Sequence, residues 1–234
     1  MKKLIKKLKP CDFWRIGETE SWFTDMAAKG LHLQSIGPRF AKFEKSQSKR
    51  MKYRIEIALN KDHITGEQIQ SYRECGWEYV TYYKQITTFI PNKFYIFSSP
   101  EELNAPEIHT DPVEQSYTLK YLNKQLLINA LLALLWVILF VGLMFSPFIL
   151  GDDPYLSVMN YPLYLFLFIA ISELYFLTKS VVGFLSIRSL KKSLTEGIPI
   201  NHNANWRPYK VISLLIITIH ISLIIILFYF SLTL

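Results

Sequence analysis

The sequence predicts an α+β domain of ferredoxin-like character, two helices on an antiparallel sheet, followed by an α-helical membrane domain of three spans. Three observations predict it. Short helical and strand patterns alternate through residues 1–98, three apolar stretches dominate the rest, and Lys and Arg are missing from one of the two loops between those stretches. The expected division is 1–98 for the α+β domain, 99–122 for a linker and 123–234 for the three spans.

In the first part, Trp22, Phe23, Met26 and Ala27 recur at helical spacing between Glu18 and Lys29, and Gly30 follows as a stop. Leu31 and Leu33 alternate with His32 and Gln34 as a strand. After Gly37-Pro38, a second short strand is expected from Phe40 to Lys45. Met51, Tyr53, Ile55, Ile57 and Leu59 alternate with Lys52, Arg54, Glu56 and Ala58, the clearest half-buried strand in the chain. A helix follows from Gly66 to Cys75, closed by Gly76, then strands over Trp77–Tyr83, Ile86–Ile90 and Phe94–Phe97. The order α-β-β-β-α-β-β-β puts Trp22, Phe23, Met26, Tyr53, Ile55, Ile57 and Trp77 in one core. From Ser98 to Thr118 the chain shows no periodicity and reads as a linker.

The apolar stretches run from about Leu126 to Ile149, Leu163 to Ile187 and Val211 to Leu232 (126–149, 163–187 and 211–232). Each reaches the roughly 20 residues that a helix needs to cross a hydrocarbon core of ~30 Å, where only a helix satisfies its own backbone. Lys120 and Lys124 precede the first span, and Arg188, Lys191, Lys192, Arg207 and Lys210 lie between the second and third. The loop from Ser146 to Pro162 has no Lys or Arg and carries Asp152 and Asp153. This asymmetry places the N-terminal domain in the cytoplasm and the C-terminus outside, in a multi-pass cell-membrane protein.

The net charge of +7 is spread over both parts, as suits contact with anionic lipid headgroups. Arg188, Lys191 and Lys192 stand among Leu185, Leu190 and Leu194, either as a helix on the inner headgroups or as a solvated loop. Lys6 and Lys7, with Leu4, Ile5 and Leu8 on one side, have the same headgroup-contacting chemistry. The lysine-rich start is followed by Pro10, Asp12 and Arg15 instead of an apolar run, so neither a cleaved leader nor lipidation at Cys11 is expected. Cys11 and Cys75 are read as reduced thiols. The chain has no phosphate-cradling glycine loop, HExxH, CxxC pair or nucleophile elbow, and His32, His63, His109, His202 and His220 are scattered. Neither an enzyme nor a cofactor or metal site is therefore expected. The basic run from Arg39 to Arg54 alternates with core residues, which suits a sheet edge guarded by lysines better than a nucleic-acid surface. Among Trp22, Trp77, Tyr79, Tyr82 and Tyr83, most are expected in the core and some on an exposed face for a partner.

Trp22-Phe23-Thr24-Asp25-Met26-Ala27-Ala28-Lys29-Gly30-Leu31-His32-Leu33 resembles the WLxxMAxKGxxL opening of a bacterial membrane family built on a domain of unknown function. Tyr53-Arg54-Ile55 and Cys75-Gly76-Trp77-Glu78-Tyr79-Val80 resemble its second and third blocks, and Ala105-Pro106-Glu107-Ile108-His109-Thr110-Asp111 its APEIYTD tail. The resemblance implies a domain commonly followed by membrane helices and often encoded beside PadR-type transcription regulators. It implies no activity.

Glu173 and His220 fall near the middle of the second and third spans, where an ionisable group costs roughly 2.5–3.5 kcal/mol. Antiparallel spans bring them to similar depth, so a Glu–His pair is geometrically feasible, as a structural clasp or as a proton- or ligand-linked site. The expected function is a membrane-anchored regulatory or sensory adaptor whose cytoplasmic domain binds a protein partner. The alternative is a small oligomeric transporter, or an accessory subunit of one, using Glu173 and His220. For the topology, a cysteine placed at Asp152 should react with an impermeant reagent in intact cells and one at Lys191 should not; reaction at Lys191 contradicts the orientation.

Overall fold

The computed structural model describes residues 4–57, 64–85, 92–150 and 163–233, with some helical positions, His220 among them, described by their backbone alone. It separates into two units, one made of Met1–Asn123 with Ser186–Ser213 and the other of Lys124–Leu185 with Leu214–Leu234.

The first unit holds β1 (Leu4–Leu8), α1 (Ile16–Ala27), β2 (Leu31–Ile36), β3 (Phe40–Lys45), β4 (Met51–Ile57), α2 (Gly66–Glu74), β5 (Glu78–Gln85) and β6 (Asn92–Pro100). Helix α1 buries Ile16, Glu20, Phe23 and Ala27 along one stripe and packs on β2 and β4. Its chain reverses at Gly30, whose φ of +73° and the Ser46 carbonyl 2.5 Å from where a Cβ would stand both require glycine. At the start of α2, Gln68 N donates to Thr65 Oγ1 and Thr65 N to Gln68 Oε1, a reciprocal cap.

Among the described residues the strands form two three-stranded antiparallel sheets, β1-β3-β2 and β4-β6-β5. The α+β class agrees with the sequence reading, but the six strands do not join in the one ladder that a ferredoxin-like sheet requires. In each sheet the strand with the most buried residues takes the centre. Strand β6, with Phe94, Tyr95, Ile96 and Phe97 all buried, takes the centre of one, and β3, with Ala41 and Phe43 buried, the centre of the other. Ile55 pairs with Ile96, and Tyr53 with Ser98. Trp22, Phe23, Phe43 and Tyr53 stack into one aromatic core, and Trp77, Tyr95 and Phe97 into another. All seven expected core residues are buried. The strand expected over Ile86–Ile90 lies outside the described residues.

Two expectations are corrected. The lysine-rich start is edge strand β1, paired with β3 so that Lys6 faces Lys42 and Lys7 faces Ala41. Successive side chains on a strand point to opposite faces, so Leu4, Ile5 and Leu8 do not share one side, nor do Lys6 and Lys7. The stretch 99–122 is no featureless linker. Strand β6 runs to Pro100, a 3₁₀ turn spans Glu101–Leu103, and α3 (Pro112–Leu150) begins within it. Asp111 Oδ1 accepts from Val113 N at 2.8 Å, with Pro112 at the first helical position, a start signal that the absence of apolar periodicity concealed.

Beyond α3, the other long helices are α4 (Leu163–Thr195) and α5 (Arg207–Thr233). All three extend past the apolar stretches read from sequence. Helix α4 ends where Gly197 takes φ +81°, with Gly197 N bonded to Leu194 O and Ile198 N to Ser193 O, both at 3.0 Å. Among the described residues, the segments Pro112–Gly142 and Ile169–Thr195 are long and apolar enough to cross a membrane. Leu131, Leu135, Trp136 and Ile138 are exposed along α3, and Ile216, Ile219 and Ile225 along α5. Asp152 and Asp153 fall outside the described residues.

Because Ile55 is buried and paired inside the sheet, Ile55→Ala should lower the stability of the first unit by about 2–5 kcal/mol. Resistance of the full chain in detergent to pulse proteolysis checks this; a loss under 1 kcal/mol (roughly, on the same scale) contradicts the core assignment.

Candidate functional site

The charged residues of β4 alternate with its core residues, which predicts a wet outer face. Arg54 and Glu56 instead face a cleft of about 460 Å³, walled by residues from Glu107 to Pro112 and by Pro199, Ile200 and His202 from the segment between α4 and α5. All of these residues belong to the first unit.

Glu20 is the floor of this cleft. It sits in the buried stripe of α1 and is 2 % exposed. Its Oε1 accepts from the Ile55 amide at 2.7 Å, satisfying an outward-facing N–H of edge strand β4. Its Oε2 lies 2.5 Å from His202 Nδ1. The other ring nitrogen of His202, Nε2, is 3.8 Å from Glu107 Oε2. Glu107 is in turn gripped by Arg54, whose Nε and Nη2 donate to its two oxygens at 2.6 Å each. This fork-on-fork pairing is the strongest geometry available to a carboxylate and a guanidinium. Arg54 also donates through Nη1 to the Tyr53 carbonyl and lies over the Trp77 ring, 5.6 Å from its centroid.

A second carboxylate–imidazole couple stands on the same strand. Glu56, 9 % exposed, has its Oε2 2.7 Å from His109 Nε2. The 105–111 strip that carries His109 and Glu107 is held down by Ala105, packed on Trp77, and by the Trp77 Nε1 bond to the Pro106 carbonyl at 2.7 Å.

The segment between α4 and α5 has further anchors. Trp206 Nε1 donates to Asp25 Oδ2 of α1 at 2.9 Å, and just beyond the segment, in the first turn of α5, the Tyr209 ring centroid lies 4.3 Å from the Arg15 guanidinium. A Cβ on Gly17 of α1 would collide with the Asn201 carbonyl oxygen, so glycine is what lets the segment approach the helix.

The electrostatics follow from these partners. The Arg54 hydrogen bonds, opposed by partial burial and aided by the charges of Arg54, His202 and Lys52, hold the Glu107 carboxyl below its ordinary value. Its stabilising contribution is therefore present above the usual glutamate range and is lost as pH falls through the lowered value. Burial pushes His109 down, but the hydrogen bond and charge of Glu56, with the charge of Glu114, outweigh it and raise the imidazole. That contribution is complete below about pH 6.5 and is lost as pH rises through the raised value. The arrangement ties four chain segments (α1, β4, the 105–111 strip and the α4–α5 segment) through alternating acids and bases.

The sequence-read candidates lie elsewhere. Arg188 and Lys192 are exposed and Lys191 half-buried near the C-terminal end of α4, at spacings that share one helix face, and Lys192 lies 3.8 Å from Glu196. The α4 helix continues through these residues, as the helical alternative for them supposed. Glu173 is half-buried on α4, while the side chain of His220 is outside the described residues, and the pairing with it. Sequence reasoning passed over Glu20, Arg54, Glu56, Glu107, His109 and His202. One signal was available for Glu20, an acid at a position where Ile16, Phe23 and Ala27 mark the apolar stripe.

The fold and the cleft together define an α+β domain with a charged cleft, in a chain that also holds long apolar helices. A family model described as Protein of unknown function (DUF2812) matches residues 15–131, and the chain belongs to that family. No curated protein matches the chain, and no solved structure does. The matched region contains Glu20, Arg54, Glu56, Glu107 and His109 but ends before His202 and Trp206.

The close approach at Gly17 has a direct consequence. Gly17→Ala should destabilise the first unit by roughly 1–3 kcal/mol through overpacking, whereas Gly66→Ala, with open space at its Cβ, should be neutral or mildly stabilising. Thermal melting of both full-length variants in detergent checks this, and equal melting temperatures contradict the docked segment.

Proposed function

We propose that this protein is a membrane-anchored regulatory adaptor in which the α4–α5 segment couples the hydrophobic helices to the N-terminal domain. The carrying observation is that Ser186–Ser213 folds as part of the same compact unit as Met1–Asn123, through the Glu20–His202, Asp25–Trp206 and Arg15–Tyr209 contacts. A displacement of α4 or α5 then either carries these contacts along or breaks them, and a partner that binds the domain biases the helices in return.

In this reading, three spans anchor the chain with the N-terminus cytoplasmic and the C-terminus outside, consistent with the Lys/Arg asymmetry of the two loops. Arg188, Lys191 and Lys192 meet anionic headgroups. The partner is a protein at the cytoplasmic domain, and the resemblance to a family encoded beside PadR-type regulators makes a transcription regulator the first class to examine.

Purification of the full chain from native membranes in mild detergent tests the proposal. Wild type should recover a protein at fixed ratio, and Trp206→Ala should reduce that recovery by about tenfold, a loss equivalent to ~1.4 kcal/mol, at equal membrane abundance. Recovery of no partner, with solute flux in proteoliposomes that Glu173→Gln abolishes, replaces the adaptor with the transporter.

A further inference from the structure

His202 is shared between two carboxylates from different elements. Its Nδ1 meets Glu20 of α1, and its Nε2 is within ion-pair distance of Glu107 on the 105–111 strip. A neutral imidazole carries a proton on one nitrogen only, whereas the imidazolium carries one on each. Only the protonated ring therefore serves both acids. Glu20 cannot turn to water for replacement, since it is buried and its other oxygen is committed to the Ile55 amide. Glu107 is held from the far side by Arg54 of β4 and is not free to swing away.

We propose that His202 is a proton-operated latch, closing the α4–α5 segment onto the N-terminal domain when protonated and loosening it when neutral. Among the described residues, the charged groups facing it are Glu20 from α1, Glu107 from the strip and, behind Glu107, Arg54 and Lys52 from β4. The neighbouring couple acts in the same sense. His109 faces Glu56 from β4 and Glu114 from the first turn of α3, and its protonation holds the strip that presents Glu107. Once its ring is neutral, His202 serves one of its two acids and the segment gains freedom. The adaptor reading gives this latch its biological use and is what the inference rests on for its consequence, but the latch is measurable without a partner.

Hydrogen–deuterium exchange of the full chain in lipid nanodiscs at pH 6 and pH 8 tests it, with rates corrected for intrinsic exchange and residues 94–99 of β6 as internal reference. Protection of residues 198–206 should fall several-fold at pH 8 in wild type, with β6 unchanged, and the difference should vanish in His202→Gln. Should His202→Gln also lower β6 protection, Glu107→Gln decides. A neutral His202 then serves Glu20 alone, and the pH dependence should shrink to under about twofold. Equal protection at both pH values in wild type overturns the latch, as does a pH dependence that survives in the variants. A failed latch with a captured partner leaves the adaptor standing, and a working latch with no partner removes the adaptor alone.

Discussion

The Glu20 carboxylate lies in the apolar stripe of α1, a place where an ionised group is costly unless it is both paired and hydrogen-bonded. Here it is both. One oxygen takes the Ile55 amide of an edge strand and the other takes His202. The contact joins residues 182 positions apart in the chain. Through it, the segment between the second and third long helices becomes part of the N-terminal domain. A buried pair of this kind is poor evidence of added stability, since apolar replacements often do as well. In the observed register Glu20 is satisfied, Gly17 admits the Asn201 carbonyl and Trp206 reaches Asp25 together.

The 105–111 strip explains why β4 is covered on both faces. Its core face packs on α1 through Tyr53, Ile55 and Ile57, as alternation requires. Its other face would be solvated on that logic, yet Arg54 and Glu56 are drawn under the 105–111 strip by Glu107 and His109. With the strip and the segment in place, the polar face of a strand becomes the wall of a cleft whose charges alternate in sign. Electrostatic contacts between such groups are stronger there than on an open surface because less water screens them.

Much of the local structure was legible. Helix α1 with its glycine stop, β2, β3, β4, α2 and the seven core residues follow from periodicity and turn chemistry alone, because these depend on neighbours within a few residues. The apolar stretches likewise announced long helices. The misreadings share a cause. Leu4–Leu8 is too short and too charged to declare itself a strand, and it becomes one by pairing with β3. The 105–111 strip has no periodicity because its order comes from Trp77 and Arg54, not from its own backbone.

What the sequence by itself determined is the list of elements and the presence of long apolar helices, since propensity, capping and hydropathy act over short distances along the chain. The site itself comes from tertiary packing. Arg54, Glu56, Glu107, His109 and His202 are each ordinary surface residues when read singly, and Glu20 stands out only by its place in an apolar stripe. They form one network because folding brings each to a partner from another part of the chain.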